Sequence, residues 1–206
     1  GCNYRVALKS TRLGLPEVTL GIIPGAGGTQ RLPRLAGVEK ALSMITSGTP
    51  INSESALKYN IVEEVYDDAL LANAINFIKT KITMKNHPKT RDLNDKILNI
   101  DASIFDKFNN QIKKKFRGRN SPLYALEAVK ASTKLDFDNG LQKERELFKD
   151  CHDSKESSSL IHMFFAERNA LKIPDVPKET KTFSINTAAV IGCGTMGGGI
   201  AMNFAN

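Results

Sequence analysis

The chain has 206 residues, a formal net charge of +7 and 41% hydrophobic residues. This apolar content supports a real core in one large domain or in parts of two. The positive charge favours a polyanionic ligand, but aromatic residues are few, Trp is absent and no recognition-helix or zinc-finger spacing occurs, so we expect no nucleic-acid partner.

The number and spacing of the cysteines, the spacing of the histidines and the length of the apolar runs exclude further classes of protein. Cys2, Cys151 and Cys193 are an odd number of distant cysteines, so neither a disulfide framework nor a CxxC site is predicted. His152 and His162 match neither HxxxH nor HExxH spacing, and we expect no bound metal. No apolar run is long enough for a membrane span.

The first part of the chain predicts short strands interspersed with helices. Alternating apolar positions predict a strand over 4–8 and an extended piece over 12–15. Helical periodicity and capping residues predict the next elements in chain order: helices over 29–35 and 38–46, a helix capped by Asn52 or Ser53 up to Tyr59, a strand over 61–65 and a helix over 69–79 capped by Asp67 or Asp68.

The middle of the chain predicts helices only. Residues 81–101 are polar and lose periodicity, so we place a boundary there. Helices are predicted over 101–116, 121–134, 141–151 and 157–171, with Ser121 as an N-cap before Pro122. The basic run 113–119 predicts either a phosphate site or a solvated helix end, and the second is favoured; 142–146 is interpreted as an exposed helix face.

The last part of the chain carries a glycine motif between a predicted strand and a predicted helix. A proline-broken, charged segment over 173–180 is typical of a linker, and an apolar strand is predicted over 187–191. A GxGxxG sequence follows and opens a predicted helix that continues to Asn206. This motif predicts a dinucleotide-binding turn, and the residues that we assign to the turn are Gly192, Gly194, Thr195, Met196 and Gly197.

The stretch 15–34 holds the residues best suited to chemistry. Glu17 follows Pro16 in a constrained turn, and Gly25 begins a Gly-Ala-Gly-Gly sequence that leads into a predicted helix. The N-terminus of a helix offers unpaired N–H groups and a partial positive charge, which can hold a water, a thioester oxygen or a phosphate. An acid beside such donors predicts a proton-transfer site; the alternative is a surface glutamate with glycines that serve packing.

Three segments resemble the crotonase superfamily, the enoyl-CoA hydratases and isomerases. They are LGLPEVTLGIIPGAGGTQRLPRLAG (13–37), ALSMITSG (41–48) and SALKYNIV (55–62). The resemblance implies that Glu17 is catalytic and handles the proton at C2 of an enoyl thioester, and that the N–H of Gly25 contacts the reacting water. In the family pattern the second glutamate and both oxyanion donors fall upstream of Gly1. Without these groups we expect the 206-residue chain alone to be essentially inactive. The chain does not begin with Met and stops inside a predicted helix, so both ends look cut.

Later segments extend the resemblance. PLYALEAVKAS, KERELF and MFFAERNA are similar to the helical segment that follows the crotonase core in multifunctional enzymes, and VIGCGTMGGGIAMNFA resembles the opening of the NAD-binding domain of 3-hydroxyacyl-CoA dehydrogenases. This order is that of the multifunctional β-oxidation enzymes, namely peroxisomal bifunctional enzymes of type 1 and α subunits of the bacterial fatty-acid oxidation complex. The predicted fold class is α/β: the C-terminal part of a crotonase-like core over 1–84, a helical segment over 85–172, a linker over 173–185 and the first β-α unit of a Rossmann fold over 186–206.

The function implied by the resemblance is a step of fatty-acid β-oxidation. An enoyl-CoA hydratase/isomerase acts on coenzyme A thioesters and is joined to an NAD-dependent 3-hydroxyacyl-CoA dehydrogenase in the parent protein. A thiolase subunit is an expected partner, and the compartment is the cytoplasm if the source is bacterial or the peroxisome if it is eukaryotic. Two alternatives stay open: a stand-alone crotonase-type isomerase, and a non-catalytic protein that binds acyl-CoA or nucleotide.

Overall fold

The computed structural model describes residues 1–177 and 179–205. Lys178, within the predicted linker, and Asn206, the predicted end of the last helix, lie outside the described residues. The elements in chain order are β1 (Val6–Leu8), β2 (Arg12–Leu13), a 3₁₀ turn (Glu17–Leu20), α1 (Gly28–Ala36), α2 (Val38–Ser47), β3 (Ile51–Asn52), α3 (Ser53–Lys58), β4 (Glu64–Tyr66), α4 (Leu70–Lys81), a 3₁₀ turn (Thr90–Asp92), α5 (Ser103–Lys115), α6 (Ser121–Ala131), α7 (Phe137–His152), α8 (Lys155–Ala170) and α9 (Thr195–Ala205).

The chain divides into two compact units, Gly1–Arg168 and a second that begins at Asn169. In the hydrophobic core of the first unit, α2 packs against both α1 and α6 and buries Leu42 and Ile45 completely. Helix α7 packs against both α6 and α1. This arrangement brings α7, from the predicted helical segment, beside the glycine-rich start of α1.

The four strands form two small sheets of two strands each. β1 and β4 are parallel, with Ala7 opposite Val65, and the intervening chain crosses over through α1, α2 and α3. β2 and β3 are antiparallel, with Leu13 opposite Ile51. The second pair holds the segment before Glu17 against the turn that follows α2.

Most predicted helices are confirmed, and two differ at their starts. Helix α7 begins earlier than residue 141, because the carboxylate of Asp136 accepts a hydrogen bond from the N–H of Asn139 and caps the helix there. Neither Asp67 nor Asp68 caps α4. The N-cap is Ala69 in a left-handed conformation, and the Asp67 carboxylate lies 3.9 Å from the ammonium group of Lys9.

The strand predicted over 61–65 begins three residues late. The N–H groups of Ile61 and Val62 bind the carbonyl of Ala56 and close helix α3, so these residues are buried in the core and pairing with β1 starts at Glu64.

Ser121 is the first residue of α6 and not its N-cap, since its hydroxyl donates to Glu156 at 2.8 Å.

The strand predicted over 187–191 is not formed. A β-strand needs a neighbouring strand to satisfy its N–H and C=O groups, and no described residue pairs with this segment. Helix α9 does form and begins at Thr195, within the glycine motif that was predicted to open it. Among the described residues, no helix combines the length and the apolar character needed to cross a lipid bilayer.

Candidate functional site

A cavity of about 320 Å³ opens beside the glycine-rich loop, which we define as residues 24–28. Within the described part of the chain, the charged side chains that line this cavity are Glu17 and Arg31. The rest of its wall is mainly apolar and includes Leu13, Leu15, Pro24, Ala26, Leu32, Leu35, Met44 and Ile61. An apolar wall with one carboxylate suits an apolar group held next to an acid.

Glu17 is the first residue of the Glu17 turn, the 3₁₀ turn Glu17–Leu20. Pro16 is the residue before this turn, and its carbonyl accepts a hydrogen bond from the N–H of Thr19 at 2.8 Å. Gly21 ends the turn in a left-handed conformation with φ of 72°. The carboxylate therefore projects from a short segment that is fixed at both ends.

The carboxylate of Glu17 has one oxygen, Oε2, that is buried and has no hydrogen-bond partner among the described residues. Burial raises the pKa of Glu17 above its usual 4.5, and the negative charge of Glu144 raises it further, against the opposing effect of a backbone hydrogen bond. A carboxyl group whose pKa is raised in this way keeps its proton closer to neutral pH. This is what a proton donor or acceptor needs.

Two glycines of the glycine-rich loop lie so close to neighbouring side chains that a β-carbon would not fit. A β-carbon on Gly28 would lie 2.7 Å from Cβ of Pro24, and one on Gly25 would lie 2.7 Å from the ring of Phe148 on α7. Gly25 is exposed and is not among the residues that line the cavity, whereas Ala26 and Gly28 are. Among the hydrogen bonds of the described residues, none is donated by the N–H of Gly25.

Two other N–H groups at the start of α1 are already occupied. The carboxylate of Glu144 on α7 accepts hydrogen bonds from the N–H of Gly27 at 2.5 Å and from the N–H of Thr29 at 2.9 Å. The hydroxyl of Thr29 donates to the same carboxylate at 2.6 Å. The prediction that the whole helix start is open to a ligand is therefore wrong for Gly27 and Thr29.

Glu144 is a residue that the sequence interpretation missed. The sequence predicts an exposed helix face over 142–146, but Glu144 is completely buried. The pattern of α7 contains a signal for this: Gly140, Glu144, Leu147 and Cys151 are all buried and follow the spacing of one helix face. The glutamate therefore occupies a position on the apolar face of α7.

Helices α6 and α8 hold the Glu17 turn from the other side. The carbonyl of Val18 accepts a hydrogen bond from the guanidinium group of Arg119 and a longer one from the hydroxyl of Ser121. Glu156 on α8 accepts hydrogen bonds from the N–H groups of Asn120 and Ser121 at the start of α6. The interpretation of 113–119 as a solvated helix end therefore fails for Arg119, although Lys113, Lys114 and Lys115 are exposed.

The glycine motif of the second unit contains positions at which a side chain is unfavourable. Gly192 has φ of 100°, which favours glycine, and the space beside Gly194 is open within 4 Å. A β-carbon on Gly197 would overlap the carbonyl oxygen of Gly192, so only glycine fits there. Helix α9 begins at Thr195, directly after the turn, and Met196 is exposed.

Comparison with known proteins identifies the family to which this chain is similar. Residues 1–119 match a family model described as enoyl-CoA hydratase/isomerase. The chain is 40% identical over 212 residues to the peroxisomal bifunctional enzyme of Cavia porcellus, a match that covers 100% of this chain and 29% of that protein. It is 35% identical over 207 residues to the fatty acid oxidation complex subunit alpha of Shewanella sp. (strain W3-18-1), covering 97% and 29%. The chain thus spans less than a third of the length of these relatives.

A solved structure supports the fold. The enoyl-CoA hydratase/isomerase of Pseudoalteromonas atlantica T6c matches with a TM-score of 0.51 and 21% identity, over 81% of this chain and 54% of that one. At this identity the likeness concerns the fold alone.

Proposed function

Because this chain belongs to the enoyl-CoA hydratase/isomerase family and has its crotonase-like fold, mixed α/β with mostly helices, we propose that Glu17 transfers a proton at C2 of an enoyl-CoA thioester. The observation that carries this proposal is the buried Oε2 of Glu17, which lies in the wall of an apolar cavity and has no hydrogen-bond partner within 1–177 and 179–205. A buried carboxylate oxygen without a protein partner is costly unless a ligand engages it.

The proposed reaction assigns one proton to Glu17. In hydration, the oxygen of water bonds to C3 of the 2-enoyl thioester while the Glu17 carboxyl group gives its proton to C2, and the water's own proton leaves to a base. In isomerisation, the same carboxylate takes a proton from one of the carbons C2 and C4 and returns it to the other. Both reactions need a carboxyl group that exchanges its proton near neutral pH, and burial raises the pKa of Glu17 in that direction.

The glycine-rich loop provides the proposed second group. Gly25 is exposed and its N–H is not donated to any described residue, which supports the proposal that it contacts the reacting water. The neighbouring N–H groups of Gly27 and Thr29 are engaged by Glu144, so the proposed contact to ligand falls on Gly25 and not on the helix start as a whole.

The second unit carries the proposed cofactor site of the whole protein. We propose that an NAD-binding domain begins in this chain, after a linker over 173–185, and joins a dehydrogenase to the hydratase/isomerase. The positive φ of Gly192, the open space at Gly194 and the close approach of Gly197 to Gly192 support a turn that admits a pyrophosphate. The residues proposed for this turn are Gly192, Gly194, Thr195, Met196 and Gly197.

The cellular setting is proposed from the relatives. One similar protein carries a peroxisomal name and another is a subunit of a bacterial fatty acid oxidation complex, so the proposed role is fatty-acid β-oxidation in either a peroxisome or a bacterial cytoplasm. A thiolase subunit is the proposed partner of the whole protein.

The test uses the natural polypeptide that contains this chain, its Glu17→Gln variant and a Glu54→Gln control at an exposed glutamate. A 2-enoyl-CoA and NAD are supplied, and loss of the enoyl thioester absorbance and formation of NADH are followed. We expect Glu17→Gln to lower hydration about a hundredfold or more while it still oxidises added 3-hydroxyacyl-CoA. Hydration that survives in Glu17→Gln would contradict the role of Glu17, and absence of NADH in the wild type would contradict the dehydrogenase assignment and favour a stand-alone isomerase.

A further inference from the structure

We propose that Glu144 is a positioning residue for the Glu17 site: from α7 it fixes the glycine-rich loop and the start of α1, and so sets where Gly25 and Ala26 stand relative to Glu17. This inference rests on the function proposed for Glu17. It assigns a role in the same site to a residue of the helical segment, far from Glu17 in sequence.

The geometry of the Glu144 carboxylate is that of a complete cap. Oε1 accepts from the N–H of Gly27 at 2.5 Å, and Oε2 accepts from the N–H and the hydroxyl of Thr29 at 2.9 Å and 2.6 Å. The hydroxyl of Thr29 in turn accepts from the side-chain amide of Gln30 at 3.0 Å. Every one of these side chains is completely buried. Both oxygens are therefore held in a network without access to water.

The local sequence explains why a distant residue is needed. Helices are usually capped by a Ser, Thr, Asp or Asn side chain at the N-cap, but here the N-cap is Gly27, in a left-handed conformation with φ of 85°. Glycine allows the sharp turn but has no side chain to cap the helix. Glu144 replaces that missing side chain, and its negative charge also suits the positive end of the helix dipole.

The consequence for the site is a fixed distance between loop and acid. Ala26 lies in the cavity wall beside Glu17, and its carbonyl accepts a hydrogen bond from Arg31 at 2.5 Å. Gly27, the next residue, is anchored by Glu144. The loop that carries Gly25 and Ala26 is thus tied down directly at its C-terminal side. A loss of this anchor would let the Gly25 N–H move away from the place where the reacting water binds.

A second effect of Glu144 is electrostatic. Its negative charge is one of the causes that raise the pKa of Glu17. Arg31 also lines this cavity, but the charge that contributes to the raised pKa of Glu17 is that of Glu144. One carboxylate therefore holds the donors in place and also favours the protonated form of the acid.

The alternative is a helix cap that only stabilises the fold. A cap of that kind predicts a loss of stability in a Glu144 variant without a change in kcat once the protein is folded. The positioning role predicts a lower kcat in a variant that is still folded.

The first measurement is made on the 206-residue chain itself by NMR, and it does not depend on activity. We compare the wild type, Glu144→Gln and a control, Glu146→Gln, which changes an exposed glutamate of the same helix. In Glu144→Gln the side-chain NH₂ must face either the N–H of Gly27 or the donors of Thr29, so we expect the amide protons of Gly27 and Thr29 to exchange with solvent about tenfold faster or more. We also expect the pKa of Glu17, followed by its carboxyl ¹³C shift, to fall. Unchanged exchange and an unchanged Glu17 titration would overturn the proposal.

The second measurement is kinetic and uses the natural polypeptide that contains this chain. We expect Glu144→Gln to lower kcat for enoyl-CoA about tenfold or more, with KM changed less than about threefold and with Glu146→Gln unaffected. If Glu17→Gln is inactive but Glu144→Gln retains the wild-type kcat, the positioning role fails and the function of Glu17 stands. If Glu17→Gln remains active, the proposed function fails, and the exchange rates alone then decide whether Glu144 anchors the loop.

A milder variant covers the case in which Glu144→Gln does not fold. Thr29→Val removes one of the three donors, the Thr29 hydroxyl, and keeps the shape of the side chain. We expect faster exchange of the Thr29 amide and a smaller fall in kcat than in Glu144→Gln. A Thr29→Val variant with wild-type exchange and wild-type kcat would count against the network.

Discussion

Ser157, near the start of α8, lies directly against Gly21, the residue that ends the Glu17 turn. A β-carbon on Gly21 would stand 2.8 Å from Cα of Ser157, and Ser157 is completely buried. The position of Glu17 is therefore set partly by a helix from the far end of the first unit.

Replacement of Gly21 by Ala is expected to destabilise the protein for two reasons. The left-handed backbone costs about 1–2 kcal/mol in any residue with a β-carbon, and the new methyl group must push α8 away from the turn. Gly118→Ala is the matched control, because Gly118 also has a positive φ but no atom of the described residues lies within 4 Å of the added carbon. Urea unfolding should show a clearly larger loss for Gly21→Ala; equal losses would mean that α8 does not press on the turn.

Glu17→Gln is expected to change stability in a pH-dependent manner. The pKa of Glu17 is raised above 4.5 in the folded protein, so the folded state holds this proton more tightly than the unfolded chain does. The resulting contribution to stability is complete below about pH 4.5 and is lost as the pH rises through the folded-state pKa. Glutamine does not titrate, and the variant should therefore gain stability relative to the wild type as the pH rises from 4 to 8.

The measurement for this prediction is the melting temperature of wild type and variant across that pH range. Glu54→Gln, at an exposed glutamate, is the control and should show no such trend. A difference between Glu17→Gln and wild type that is the same at pH 4 and pH 8 would show that the carboxyl group does not titrate abnormally.

Arg119 is expected to stabilise the Glu17 turn, unlike its neighbour in the basic run. Its guanidinium group binds the carbonyl of Val18 and lies 3.8 Å from Glu156, whereas Arg117 is exposed. We expect Arg119→Met to lower the free energy of unfolding by about 1–2 kcal/mol and Arg117→Met to change it by less than about 0.5 kcal/mol. Denaturant unfolding of both variants checks this. Similar free energies of unfolding for the two variants would show that Arg119 does not stabilise the turn.

Cys151 is expected to be unreactive in the folded protein. Burial, together with the charges of Glu156 and Asp150, raises the pKa of this thiol to about 12, so almost no thiolate is present at pH 8. Cys2 is exposed and serves as the internal reference. Alkylation with iodoacetamide followed by peptide mass spectrometry should label Cys2 and spare Cys151, while both react in denaturant; rapid labelling of native Cys151 would show that α7 opens.

Much of the architecture follows from local sequence. The apolar spacing of α1 and α2 and the Asn52 cap of α3 are short-range signals, and the structure confirms the helices that they predict. The family was also accessible, because residues 13–37 form a long, specific segment, and the match over residues 1–119 confirms it. The roles of Glu17 and Gly25 and of the glycine motif after residue 191 remain predictions.

The tertiary structure decided which residues support the site. By itself, the sequence determined the Glu17 turn, the glycine-rich loop and the helix periods, since each depends on backbone preferences within a few residues. It did not reveal that Glu144 caps α1, because a hydrogen bond between elements that far apart leaves no local pattern beyond one charge on an apolar helix face. Packing of α7 against α1 removes that carboxylate from water, and only then must its two oxygens find the N–H groups of Gly27 and Thr29.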